Sequence, residues 1–479
     1  MLRSTYAGRV AIITALGLGA RLALIGYQPL WRDEAFTAVA VGRSLGSMLA
    51  AVRADSAPPL AYLVDHAVAS VWSSPAGLRL LPAVVGAAAV PIGAALGRRI
   101  RGDRAGVMAA AVCAAAPALV LSALDARMYA VATTLVMAAT LALWRAVERP
   151  VWQRFVLYAL LMALALYTDY FAALAIPAQL FAVAFMLRAG WRASLAAAAA
   201  MTVAAAALVP WLVVASAQLT HAGQSFWVPS LGFASVSGEF VQFFSGPPVD
   251  AWVPLKPLLQ TLQGFAVTAG VLMCFALLRQ RHDLGSETRR AALFCVACGL
   301  GAALLLLPVS IWRPLVDGRY ASVVWGPLFP VLGAGLAMAR RRWALAGGIA
   351  ATGAASLSLA LAGTHPDTRG ALAMLESRIG THDLVDAYPS QYLLFLYYAP
   401  SQVLSRTIVM QQDVPWFWGT ADYPPGVISS TIPRDVSSAG GAVYYVRQPD
   451  EPAASLLPPG YVARATECWT GVCVVTYRR

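Results

Sequence analysis

The sequence predicts an α-helical polytopic membrane protein with about eleven transmembrane helices in residues 1–363, followed by a small α/β domain in 364–479. Three observations predict it. Of 479 residues, 59% are hydrophobic and only 12% charged, about half the charged fraction of a soluble chain, which is too little to cover the surfaces of several soluble domains. Apolar stretches long enough to cross a bilayer recur along the chain. The linkers between them alternate between Arg-rich and Arg-poor, as the positive-inside rule requires.

The expected spans are roughly 10–27, 79–97, 105–124, 128–144, 153–168, 171–187, 194–215, 257–278, 291–310, 321–338 and 344–362. Span 1 is preceded by Arg3 and Arg9, which would also suit a secretory signal. No small-x-small site precedes Gln28-Pro29, however, and the span is read as retained. The short linkers carry Arg98, Arg99, Arg101 and Arg104; Arg145, Arg149 and Arg154; Arg188 and Arg192; Arg279, Arg281, Arg289 and Arg290; and Arg340, Arg341 and Arg342. Their acids are only Asp103, Glu148, Asp283 and Glu287, so with the N-terminal arginines this face carries +14. It is expected in the cytoplasm. The opposite face holds the longer loops 28–78 and 216–256. The 364–479 segment carries −2, and the chain as a whole +12. The excess is therefore a topology signal and no nucleic-acid partner is expected. The use of 34 Arg against the single Lys256 fits a GC-rich bacterial gene, and the expected location is a bacterial inner membrane with the N-terminus cytoplasmic.

The 364–479 segment reads as α/β and extracytoplasmic. A helix-like start from Thr368 to Ile379 is followed by apolar runs such as Ala442-Val443-Tyr444-Tyr445-Val446. Near the end, Cys468-Trp469-Thr470-Gly471-Val472-Cys473 reads as a hairpin with glycine in its turn. An oxidising compartment would permit a disulfide across it. Cys295 and Cys298 form a CxxC, but in mid-span with no His nearby, and read as small packing residues.

Ionisable groups at membrane depth are costly and point to function. Four clusters stand at the outer helix ends. Trp31-Arg32-Asp33-Glu34 follows span 1; its acids suit either a first helical turn or a cavity wall, and they diverge by about 100° if helical. The same loop continues to Asp55, Pro58 and Pro59. Asp125-Ala126-Arg127-Met128-Tyr129 lies in a tight reversal, where the acid and the base either pair with each other or address two ligand groups. Tyr167-Thr168-Asp169-Tyr170 turns between spans 5 and 6. Asp317-Gly318-Arg319-Tyr320 opens span 10, where Arg319 either pairs with Asp317 or meets an anion at headgroup level.

In order and topology these motifs resemble the GT-C class of polytopic glycosyltransferases that use lipid-linked sugars. Within that class they are similar to bacterial relatives of protein O-mannosyltransferases and of the lipid A aminoarabinose transferase. The motifs are Trp31-Arg32-Asp33-Glu34, Asp55 with Pro58-Pro59-Leu60, Arg79-Leu80-Leu81, Asp125 to Tyr129, Tyr167 to Phe171, and Gly318-Arg319-Tyr320 before the span that ends at Leu336. The resemblance implies a polyprenyl-phosphate sugar as donor and a glycan, lipid or protein acceptor in the cell envelope. Asp33 becomes the base that activates an acceptor hydroxyl, and Glu34 its catalytic neighbour, orienting the loop or binding a sugar hydroxyl. Arg319, then Arg127, with Tyr320, would hold the donor phosphate. Asp125, Asp55, Asp169 and Tyr129 would contact substrate, and one in-line displacement would invert the anomeric carbon. Mannose or a pentose is the sugar the resemblance implies. Many relatives carry His where this chain has Ala57 and Asp169, so a divalent metal has no His ligands to support it. The alternative is a transporter or flippase of lipid-linked or soluble cargo. Such proteins place charges near the midplane and show inverted repeats; here the charges sit at helix ends and no repeat is apparent.

Overall fold

The computed structural model describes residues 2–187, 189–218, 227–279, 285–338, 342–454 and 456–479. Arg188, Arg281, Asp283, Arg340 and Arg341, counted in the basic linkers, lie outside the described residues. The fold is predominantly helical with a six-stranded sheet near its C-terminal end, in line with the expected class. The protein is a multi-pass membrane protein. Six described helices are long and apolar enough to cross a bilayer, or seven if the bent pair Gly318–Trp325 and Leu328–Met338 is one span.

The expected eleven is not confirmed on that measure, which asks for a long apolar helix among the described residues. Several apolar runs fold as short or interrupted helices, such as Trp152–Thr168, Tyr170–Met186 and Gly347–Leu361. The run Leu80–Ala115 turns back on itself at Arg101 and Gly102, where Gly102 adopts φ 76°, a conformation open to glycine. Beyond the turn Gly97 lies against Ala105 and Ala109, and Gly93 against Cys113. Residues 80–100 and 103–115 are thus antiparallel neighbours, packed through small residues as membrane helices commonly are. The helix breaks again at Ala116, before Pro117. There the buried Arg21 guanidinium reaches the carbonyls of Gly17, Cys113 and Leu119, so the charge inside span 1 caps backbone groups around a break.

The loop 28–78 contains the helices Arg32–Val41, Leu45–Ala54 and Leu60–Ala69. Beyond the last long helix, Arg342–Leu361, helix Thr368–Arg378 leads into the sheet. Its strands are β1 (Leu384–Ala387), β2 (Thr407–Met410), β3 (Ile428–Ser429), β4 (Val443–Arg447), β5 (Val462–Trp469) and β6 (Val472–Arg478), in the spatial order β3-β2-β1-β4-β6-β5. The first four pair in parallel, and β6 joins β4 and β5 antiparallel. Val443 to Val446 are all buried, as expected of a strand covered on both faces. The β5–β6 hairpin turns at Gly471 and is closed by a Cys468–Cys473 disulfide. Helix Pro389–Tyr398 docks this region onto the membrane bundle. Its Leu393 and Leu394 share a buried cluster with Phe36, Tyr62 and Tyr129.

Candidate active site

The four clusters meet at one end of the bundle. Trp31 precedes helix Arg32–Val41 and Asp33 and Glu34 occupy its first turn, where acids favour the helix dipole. The 100° step between them sends the two carboxylates to different places.

Glu34 points into the protein and is fully buried. It forms a two-pronged ion pair with Arg79, Nε to Oε1 at 2.6 Å and Nη2 to Oε2 at 2.5 Å. The backbone N–H of Ala126 donates to it at 2.8 Å and that of Trp31 at 3.2 Å. His365 Nδ1 lies 3.7 Å away. Burial alone would push its carboxyl up; the Arg79 guanidinium outweighs that and holds it below the usual range. Glu34 lines neither cavity of the site. Of the two roles expected for Glu34, orienting the loop or binding a sugar hydroxyl, this burial fits the first.

Asp33 points the other way. Its Oδ1 accepts from Arg32 Nε at 2.8 Å and its Oδ2 from Arg319 Nη1 at 3.0 Å. Burial raises its carboxyl, but Arg32, Arg319 and Arg127 together bring it down to about 2. Asp317 caps helix Gly318–Trp325 by accepting from the Arg319 amide, and also takes Arg319 Nε at 3.2 Å. Arg319 thus pairs with both Asp317 and Asp33. The guanidinium lies 4.3 Å from the ring centre of Trp227 and 5.7 Å from that of Trp31.

Asp125 and Arg127 diverge. Asp125 accepts from Trp31 Nε1 at 3.1 Å, and burial, then the charge of Glu34, pushes its carboxyl up. Arg127 reaches the Asp33 carbonyl, Thr37 and the Tyr62 hydroxyl, all at 3.2–3.4 Å. Asp169, expected as a turn acid, is buried; its Oδ1 caps the turn Tyr170–Leu174 through the Phe171 amide at 2.8 Å, and burial lifts it to about 7. Tyr320 stacks on Phe171 with ring centres 4.4 Å apart.

These residues line two adjacent cavities. The first, about 380 Å³, is bounded by Asp33, Asp55, Arg127, Asp169, Tyr320 and Arg313, among others. The second, about 520 Å³, is bounded by Trp31, Asp125, Asp317, Gln242, Trp252 and His365, among others. Both sizes suit small-molecule sites. Arg32, Tyr129, Trp227 and Arg319 face both. Arg319 therefore stands at the partition, while its partner Asp33 opens on the first cavity. Among the described residues no group of three or more His, Cys, Asp or Glu could hold a metal ion.

The residues missed in the sequence are aromatic. Trp227 lies in the loop 216–256, and Trp416, Phe417 and Trp418 lie in the C-terminal region, far from any charged motif; all four line the first cavity. The density of aromatics in Trp416-Phe417-Trp418 was the available signal.

A family model described as dolichyl-phosphate-mannose-protein mannosyltransferase matches residues 56–214, the part that carries Asp125, Arg127 and Asp169. No curated protein sequence matches the chain. Among solved structures the fold is similar to apo ArnT from Cupriavidus metallidurans, with a TM-score of 0.62, 13% identity and 98% of each chain covered. The same protein bound to undecaprenyl phosphate gives a TM-score of 0.56, again at 13% identity and 98% coverage of each chain. The archaeal oligosaccharyltransferase AglB from Archaeoglobus fulgidus, in complex with an inhibitory peptide and a dolichol-phosphate, gives 0.51 at 13% identity, covering 92% of this chain and 69% of that one. The expected resemblance to protein mannosyltransferases is thus met by the family model over residues 56–214, and the expected fold is met by the solved structures of ArnT and AglB.

Proposed function

We propose that this chain transfers a sugar from a polyprenyl-phosphate donor to an acceptor hydroxyl, by inverting displacement at the partition between the two cavities. The observation that carries the reading is the Asp33–Arg319 pair, a carboxylate and a guanidinium 3.0 Å apart, in a fold shared with a structure bound to undecaprenyl phosphate. A phosphate leaving group needs a fixed cation and no strong acid, and Arg319 supplies it, with Arg127 and Tyr320 beside it. An acceptor hydroxyl needs a base opposite the leaving group, and Asp33 supplies it. Asp55, Asp169 and Tyr129 on the first cavity and Asp125 on the second hold hydroxyls. In this reading the site faces the extracytoplasmic side of a bacterial inner membrane, with the N-terminus in the cytoplasm and the 364–479 segment as an outer domain. Mannose or a pentose is the sugar.

The test is transfer by purified protein from polyprenyl-phosphate sugars, read by mass, with Asp33→Asn beside the parent. Transfer is expected from the parent and lost in the variant. A variant that keeps its fold and transfers at the parental rate removes Asp33 as the base; release of the lipid intact on the far side of a vesicle, with no free polyprenyl phosphate, identifies a flippase instead.

A further inference from the structure

The C-terminal region supplies one wall of the first cavity, and it does so with aromatic rings. Trp416–Trp418 is a single 3-10 turn in which no residue is buried, and all three side chains line the cavity. Three of the largest apolar groups in this region are thus held outside its cores, which are built on residues such as Val385, Val409 and Val443. Apolar area left part-exposed in a concave site is the mark of a binding surface.

The turn is held in place at its C-terminal end. Gly419 ends it with φ 75°, and a β-carbon there would lie 2.8 Å from Leu393 and 2.9 Å from Phe36. Beyond it, Arg43 pairs with Asp422 at 2.7 Å and also donates to its carbonyl. The Arg32 guanidinium lies over the Trp418 ring at 4.5 Å, and the same Arg32 holds Asp33. The turn is therefore fixed to helix Arg32–Val41 and stands one guanidinium away from Asp33.

We propose that Trp416–Trp418 is a carbohydrate-binding lip of the first cavity. Its rings stack on the C–H face of a sugar ring, while Asp55 and Asp169, on the same cavity, accept the ring's hydroxyls. This deepens the glycosyl-transfer reading and rests on it. The chemistry singles out a sugar. A π-face suits a flat C–H-rich surface, and carboxylates suit hydroxyl donors. An isoprenoid chain would match the rings but would desolvate the charged wall without compensation. The ring belongs either to the donor or to the acceptor.

The test uses full-length protein in nanodiscs, with Phe417→Ala, Trp418→Ala and the conservative Trp418→Phe. Saturation-transfer NMR with a panel of methyl glycosides reads the lip without turnover. Two kinetic arms follow: release of polyprenyl phosphate to water without acceptor, and transfer with acceptor. The alanine variants are expected to lose the glycoside signal and to raise one KM by about tenfold or more with kcat within about threefold, and Trp418→Phe to recover most of it. A rise confined to the donor arm places the donor sugar on the lip; one confined to the acceptor arm places the acceptor's ring there. Unchanged KM in both arms with unchanged glycoside binding overturns the lip. A parent that binds glycosides through the lip but turns over no donor overturns the transfer reading alone, and a parent with neither property overturns both.

Discussion

Replacing Glu34 with Ala removes one half of a pair whose side chains are 0% and 1% exposed. The magnitude follows from what stays behind. Arg79 keeps its bonds to the carbonyls of Ile25, Gln28 and Pro29, so it cannot leave, and its charge remains buried without a counterion. Deleting one partner of such a pair costs roughly 3–5 kcal/mol. The amides of Ala126 and Trp31 lose their acceptor as well, which places the variant at or above the upper end of that range. At about 2.1 cal/mol/K of unfolding entropy per residue, a chain of 479 residues loses roughly 1 °C for each kcal/mol, so the melting temperature of purified protein should fall by about 5 °C. Glu34→Gln, which keeps the shape and one acceptor oxygen, should lose less. Joint replacement Glu34→Leu with Arg79→Met should recover part of the loss, since no charge is then stranded. The assay is thermal unfolding followed by tryptophan fluorescence. Melting of Glu34→Ala within about 2 °C of the parent, or a double variant as damaged as the sum of the two singles, would show that the pair does not tie the loop down.

Three further outcomes are expected. Asp33 titrates at about 2, below its ordinary value. It therefore stays ionised and adds stability above the unfolded carboxyl's range, a contribution lost only as the pH falls through that range to about 2. Asp33 should accordingly add no acid limb above about pH 5 to the pH profile of kcat/KM, and a limb near pH 6 that survives in both Asp125→Asn and Asp169→Asn would contradict the pairing with Arg32 and Arg319. Arg319→Ala should weaken binding of undecaprenyl phosphate by at least about tenfold, the worth of a charge-assisted hydrogen bond, and affect acceptor KM less; equal losses would undo the phosphate assignment. Converting Cys468 and Cys473 to Ser opens a cross-link of sequence separation 5, and the chain-entropy relation gives a loss of about 2 kcal/mol, measurable as earlier unfolding of this region by hydrogen exchange; unchanged protection would refute it.

The approximate location of the site was legible because charge near a membrane is costly and needs a reason. Asp33, Arg127, Asp169 and Arg319 all stand at helix ends, where local sequence shows them. The divergence of Asp33 from Glu34 was legible in the helical step, but the partners that fix Glu34 were not, since Arg79 and Ala126 lie 45 and 92 residues from it. The same distance hid the divergence of Asp125 from Arg127, which pair with groups on the loop 28–78 and not with each other. Trp227 escaped because a lone aromatic carries no local mark of the cavity it will line, whereas Trp416-Phe417-Trp418 offered only its density of rings, which does not say what they face. The eleven crossings are not confirmed among the described residues, because hydropathy measures composition and cannot distinguish a straight span from a broken helix such as Gly318–Trp325 with Leu328–Met338, bent by 65°.

The ion pair at the partition has a thermodynamic consequence. Without ligands, Arg319 Nη1 holds Asp33 Oδ2, while Arg32 holds Oδ1 and Asp317 holds Arg319 Nε, so an entering anion competes with Asp33 for Nη1. An anion that draws Arg319 away leaves Asp33 short of a donor, and a hydroxyl can supply one. Linkage makes this reciprocal: whatever satisfies Asp33 strengthens the hold of Arg319 on the anion by the same factor. On the proposed reading, an anion on Arg319 and a hydroxyl on Asp33 thus share a single free-energy term, and each would bind more tightly in the presence of the other.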